Sequence, residues 1–65
     1  MFKVNPGTQF VRDDGTLYFQ GTCDTTGDLP STVDGFEPSF GSLILVGPAG
    51  NFYYFNGSTW TKVGS

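Results

Sequence analysis

The chain has no histidine and only one cysteine, Cys23. Without histidine, no Ser-His-Asp or Cys-His catalytic arrangement can be assembled. One thiol can form no disulfide within the chain and, with no imidazole, no tetrahedral zinc site. Charge is scarce as well: three basic and six acidic residues among 65, for a net charge of −3. No basic patch is present to hold a nucleic acid or an anionic membrane, so neither is expected as a partner. The longest apolar runs are four residues, far short of the roughly 20 needed to span a bilayer as a helix. Asn5-Pro6-Gly7 follows Met1 too closely to leave the apolar region of a signal peptide. A cytosolically made, soluble protein is expected. Long stretches free of glycine and proline are also missing. The longest covers 8–14, seven residues, whereas an average helix needs about eleven and tolerates neither residue well in its interior.

Aromatic residues, by contrast, are plentiful at 17%, and ten glycines and four prolines punctuate the chain. High aromatic content with little charge is the reverse of a disordered composition. The fold class expected is therefore all-β in a single small domain: an N-terminal hairpin and a C-terminal three-stranded meander, forming a small antiparallel sheet or mini-sandwich, with a long middle loop. The hairpin spans 8–20 and turns at Asp14-Gly15, where the positive φ of a tight turn is available. Lys3-Val4 reads as a short edge strand ended by Pro6. The loop spans 21–41 and packs through Leu29, Val33, Phe36 and Phe40, or is ordered by a neighbouring chain. The meander spans 42–63, with strands at 42–46, 51–55 and 59–63 and turns at Gly47-Pro48-Ala49-Gly50 and Asn56-Gly57-Ser58.

Two of these strands are apolar on both faces. Successive strand residues point to opposite sides, so Leu43 and Leu45 oppose Ile44 and Val46, and Phe52 and Tyr54 oppose Tyr53 and Phe55. The chain can cover one face of such a sheet; the other calls for an intersubunit contact, unless the first hairpin packs as a second layer and completes a monomer. Burying each large side chain is worth roughly 1.5–3 kcal/mol. Candidate interface residues are Phe52, Tyr53, Tyr54, Phe55, Trp60, Phe36 and Phe40. Tyrosine and tryptophan suit interfaces because one ring offers both apolar area and a polar tip. Tyr53, Tyr54 and Trp60 would equally serve as a stacking platform for a glycan.

The remaining motifs carry little chemistry. Cys23 precedes Asp24, whose charge raises a thiol pKa rather than activating it. Asp24-Thr25-Thr26-Gly27-Asp28 has the oxygen content of a calcium loop, but the twelfth position is Gly35 where a glutamate is required. A paired-carboxylate glycosidase site needs a sugar cleft larger than so short a chain builds alone. No glycine-rich turn is followed by the lysine and helix of a phosphate loop. Asn56-Gly57-Ser58 matches the glycosylation triplet and equally an ordinary hairpin turn. No catalytic residue, cofactor or metal is therefore expected.

The stretch from Asp28 onward resembles a module of tailed-bacteriophage virion proteins, found in tail fibres, adhesins and other surface proteins. The resemblance rests on Asp28-Leu29-Pro30, on Gly41-Ser42 leading into Leu43-Ile44-Leu45-Val46, on Asn51-Phe52-Tyr53-Tyr54-Phe55, on Asn56-Gly57-Ser58-Thr59-Trp60 and on Val63, a little over half of the chain. The spacer from Pro30 to Gly41 is longer than the module's and holds Phe36 and Phe40. The resemblance implies that the final strand folds back so that Trp60 lies over the aromatic strand, and that Leu29-Pro30 tucks under the meander. As a free-standing small chain it would be an accessory part of the virion, most plainly a capsid decoration (cement) protein. It would be made in the host cytoplasm, assemble as a homo-oligomer, a trimer by the same resemblance, and bind capsid or other virion proteins. The rival expectation is a glycan- or receptor-binding tip of a head or tail fibre. An inhibitor of a host enzyme is a third.

Overall fold

The computed structural model describes residues 1–64. It is all-β, as the punctuation by glycine and proline predicts. A five-stranded sheet holds β1 (Lys3–Val4), β4 (Gln20–Cys23), β5 (Leu43–Val46), β6 (Asn51–Phe55) and β7 (Trp60–Lys62), in the order β1-β4-β5-β6-β7. A separate two-stranded hairpin holds β2 (Phe10–Val11) and β3 (Leu17–Tyr18). One 3-10 turn, Thr26–Asp28, is the only helical element among the described residues.

The C-terminal meander is as expected: β5, β6 and β7 pair antiparallel, with Ile44 opposite Tyr53 and Phe55 opposite Trp60. The N-terminal half is organised differently. The hairpin keeps only two residues per strand. Arg12 N–H bonds to the Thr16 carbonyl at 2.8 Å and Gly15, at φ +84°, makes the three-residue turn. Past Phe19 the chain leaves the hairpin and becomes β4, so 20–23 is strand where the sequence suggests the hairpin's end and the start of a loop. Strand β4 runs parallel to β5, pairing Gly21 with Ile44 and Cys23 with Val46, which makes the sheet mixed. Parallel neighbours need a crossover of about a dozen residues or more. The long middle segment is that crossover. It folds back through a tight turn at Asp34 and Gly35, both with positive φ, closed by two hydrogen bonds between Val33 and Phe36. Asp-Gly at these positions is what such a turn demands. The turn brings Val33 into the core.

The register separates the sheet into two faces. The inner face carries Val4, Gly21, Cys23, Ile44, Val46, Tyr53, Phe55 and Trp60. It is covered by Leu17 of the hairpin and by Leu29, Val33 and Phe36 of the crossover. Phe19 lies at its heart, fully buried. It meets Phe2 and Trp60 edge-on at centroid distances of 5.6 and 5.9 Å, and Trp60 meets Phe55 in the same way at 5.2 Å. Edge-to-face pairs at these distances add to the area term. Ser42 leaves room beside Phe19, and its buried hydroxyl accepts from Phe19 N–H and donates to the Leu17 carbonyl, both at 3.3 Å. No buried side-chain polar atom among the described residues lacks a partner. The accessible surface is 4107 Å², close to the roughly 4,000 Å² of a folded monomer of this mass. The chain closes its own core.

Candidate functional site

The structure divides the seven candidate interface residues into an inner and an outer set. Phe55 is 8% exposed and belongs to the core. Trp60 and Phe36 are half-buried and pack on that core, as does Tyr53. Trp60 is committed internally: two aromatic rings meet it edge-on, and its indole N–H donates to the Pro30 carbonyl at 2.8 Å. Trp60 thus lies against the aromatic strand, with Pro30 within reach of its indole N–H. The turn before it is fixed by Asn56, whose Oδ1 accepts from the Ser58 and Thr59 N–H groups at 2.9 Å each.

Phe40, Phe52 and Tyr54 form the outer set. The outer face of the sheet carries Lys3, Gln20, Thr22, Leu43, Leu45, Phe52, Tyr54 and Thr61. Phe52 is 49% exposed, and Phe40 is 67% exposed with its ring edge-on, at 6.4 Å, to Tyr54, two residues along β6 from Phe52. Val63, hydrogen-bonded through its N–H to the Phe52 carbonyl, extends the patch. None of the six acidic residues lies in any strand of the five-stranded sheet.

A second apolar surface was not read from the sequence. Phe10 and Val11 of β2 are 62% and 52% exposed. With Gln9, Leu17, Asp34 and Phe36 they line a depression of about 250 Å³. Their partner β3 occupies one edge of β2; the other edge is bare. The signal was present: two adjacent apolar residues in a strand place one on each face, the same pattern that marks 43–46 and 52–55.

The titratable groups with shifted pKa values make structural contacts. Cys23 is buried, its Sγ donates to the Thr25 carbonyl at 3.2 Å, and burial, with Asp28 nearby, raises its pKa. Thiolate is what reacts, so this thiol is held in its inert form. Asp14 caps the hairpin turn through the hydroxyl and N–H of Thr16, and these bonds lower its pKa. No group of three or more metal-ligating side chains occurs among the described residues; the Asp24–Asp28 loop contacts the N-terminus. Its two carboxylates accept from the Met1 amino group at 2.7 and 2.6 Å, tying β1 to the 3-10 turn. Donating hydrogen bonds to Asp24 and then Asp28 pushes that amine up to about 10, and the same contact lowers the pKa of Asp28.

This clamp predicts a pH profile for the chain carrying a free amine at Met1. A raised amine pKa contributes stability that is complete below 8.0 and is lost as pH rises to about 10. Lowered carboxylate pKa values, at Asp28 and Asp14, contribute above 3.8 and are lost as pH falls through the lowered values. The melting temperature should therefore be flat between these limits and decline at both ends. Acetylating the amine should remove the clamp's part of the alkaline decline, leaving the part due to Cys23. An unchanged alkaline limb after acetylation would contradict the clamp.

Comparison of the chain with protein families, with curated proteins and with solved structures finds no match in any of the three.

Proposed function

We propose that the chain is a structural protein of a tailed-bacteriophage virion, a capsid decoration protein that adds contact area between capsid subunits. The observation that carries this reading is the pair of separate apolar surfaces, the outer sheet face with Phe40 and Phe52 and the hairpin edge with Phe10 and Val11. A decoration protein needs surfaces for its neighbours, sister copies as well as capsid subunits, and exposed apolar patches of this kind mark interaction sites. The scarcity of charge favours a role exercised by surfaces. The β5–β7 meander, with Trp60 seated over Phe55, supports the resemblance to phage virion modules. As a decoration protein the chain acts as a homo-oligomer, for which that resemblance implies a trimer.

The glycan-tip alternative draws on a depression formed by Pro30, Ser31, Glu37, Ser58, Thr59 and Trp60. Trp60 is a poor platform there, because its indole is already engaged by Phe19, Phe55 and Pro30. Co-sedimentation of the chain with bare tailed-phage capsids tests the proposal. Saturable co-sedimentation is expected, weakened at least tenfold in a Phe10→Ser, Val11→Ser double variant. Failure to bind capsids, with retention on immobilised polysaccharide and elution by free sugar, would overturn it in favour of the glycan tip.

A further inference from the structure

We propose that the outer face of the five-stranded sheet is covered by the same face of a second copy of this chain, two sheets packing back to back as a sandwich. Small domains are built of two packed layers around each apolar face. Here the inner face has its second layer in the hairpin and crossover, and the outer face has none.

Charge and area both point to a second copy as the occupant. Two chains of net charge −3 repel unless their carboxylates stay apart. All six acidic residues lie outside the strands of this sheet: at the hairpin tip, in the Met1 clamp and in the crossover. Apposing two outer faces therefore brings apolar centres together, with Lys3 and the exposed Met1–Asp24 ion pair at the end of β1 and β4 left at the rim. The exposed parts of Phe40 and Phe52 (67% and 49%), for aromatic side chains of about 150–250 Å², supply roughly 200 Å². With Val63, Tyr54, Leu43 and Leu45 the patch reaches about 400 Å², the size of the largest patch on an ordinary monomer. Pairing two such patches buries about 800 Å², below the roughly 1,200–2,000 Å² of stable complexes and in the range of weak, reversible ones. The account therefore requires a reversible dimer of a chain that already folds alone.

Contact through identical faces is two-fold, so it yields dimers and not the trimer implied by the phage resemblance. The pairing deepens the decoration reading, on which it rests for its purpose: a dimer would present two hairpin edges, one to each of two capsid subunits.

The test is sedimentation equilibrium of the isolated chain from 1 μM to 1 mM, without capsids. The expected result is a monomer–dimer equilibrium within this range. Phe52→Lys should raise the dissociation constant at least tenfold. Phe40→Ser, which lies in a turn outside every strand, should do the same, with the far-ultraviolet circular dichroism of both variants unchanged. The Phe10→Ser, Val11→Ser variant should dimerise like the parent. A monomer at all concentrations, a trimer, or a dimer indifferent to both the Phe52 and the Phe40 substitutions would overturn the inference. Capsid binding is measured separately, so failure here leaves the decoration reading standing, and failure there leaves the dimer standing.

Discussion

Replacing Phe19 with alanine should remove a large share of the fold's stability and lower its melting temperature steeply. The side chain is completely buried and touches the rings of Phe2 and Trp60. Removing a buried phenylalanine costs about 3–5 kcal/mol, through lost transfer energy and the cavity left behind. A 65-residue fold has only about 3–10 kcal/mol in total at typical stability per residue. The neighbours cannot close the gap cheaply, because Phe2 and Trp60 approach from different elements and Trp60 is tied to Pro30. Phe52→Ser is the milder comparison: its ring is half exposed on the outer face, so in dilute solution it should cost about 1–2 kcal/mol, clearly less than Phe19→Ala. Circular dichroism melts distinguish the two. A Phe19→Ala variant that melts near the parent would contradict the placement of the core.

Gly21→Val should cost about 2 kcal/mol, lowering the melting temperature of so small a domain by roughly 8–16 °C. The reason is space, since Gly21 has no positive φ. It sits on the inner face of β4, between β1 and β5. A Cβ there would lie 2.6 Å from the Lys3 carbonyl oxygen and 3.1 Å from a ring carbon of Phe2. The first contact is backbone and cannot rotate away, so β1 must shift. Because β1 is only two residues long, the shift also strains Phe2 against Phe19 and the Met1 clamp. Gly21→Ala should show the same effect at smaller size. Equal melting temperatures for Gly21→Val and the parent would mean that β1 does not pair where the structure puts it.

These two positions show where the sequence was and was not legible. The alternation within Leu43–Val46 and Asn51–Phe55 assigns each side chain to the face it occupies, because the meander is local and its turns are marked by glycine. Gly21 reads as the start of a loop because its reason for being glycine is a close approach between strands 17 or more positions apart. The parallel β4–β5 pairing is hidden for the same reason: nothing local specifies a contact across the crossover. The Asp34-Gly35 turn was visible as a hairpin signal, but the polar surroundings concealed the short strand-like bridge it closes. Among the candidate interface residues, alternation separates Phe55 and Tyr53 from Phe52 and Tyr54. It does not say which set faces inward. That is decided by Leu17, Val33 and Phe36, which arrive from elsewhere in the chain. Phe10 and Val11 went unread as a surface because a hairpin strand is expected to cover at least one of its faces, and here neither is covered.

The account stands on the sheet having one face closed by its own chain and the other open. A soluble paramagnetic probe added to the dilute, isotope-labelled monomer tests this most directly by nuclear magnetic resonance. Side-chain signals of Phe40, Phe52 and Val63 should broaden strongly, while those of Phe19, Ile44 and Val46 stay sharp. Broadening of Ile44 and Val46 with protection of Phe52 would mean that the faces are reversed, and with them the surfaces on which the proposed contacts depend.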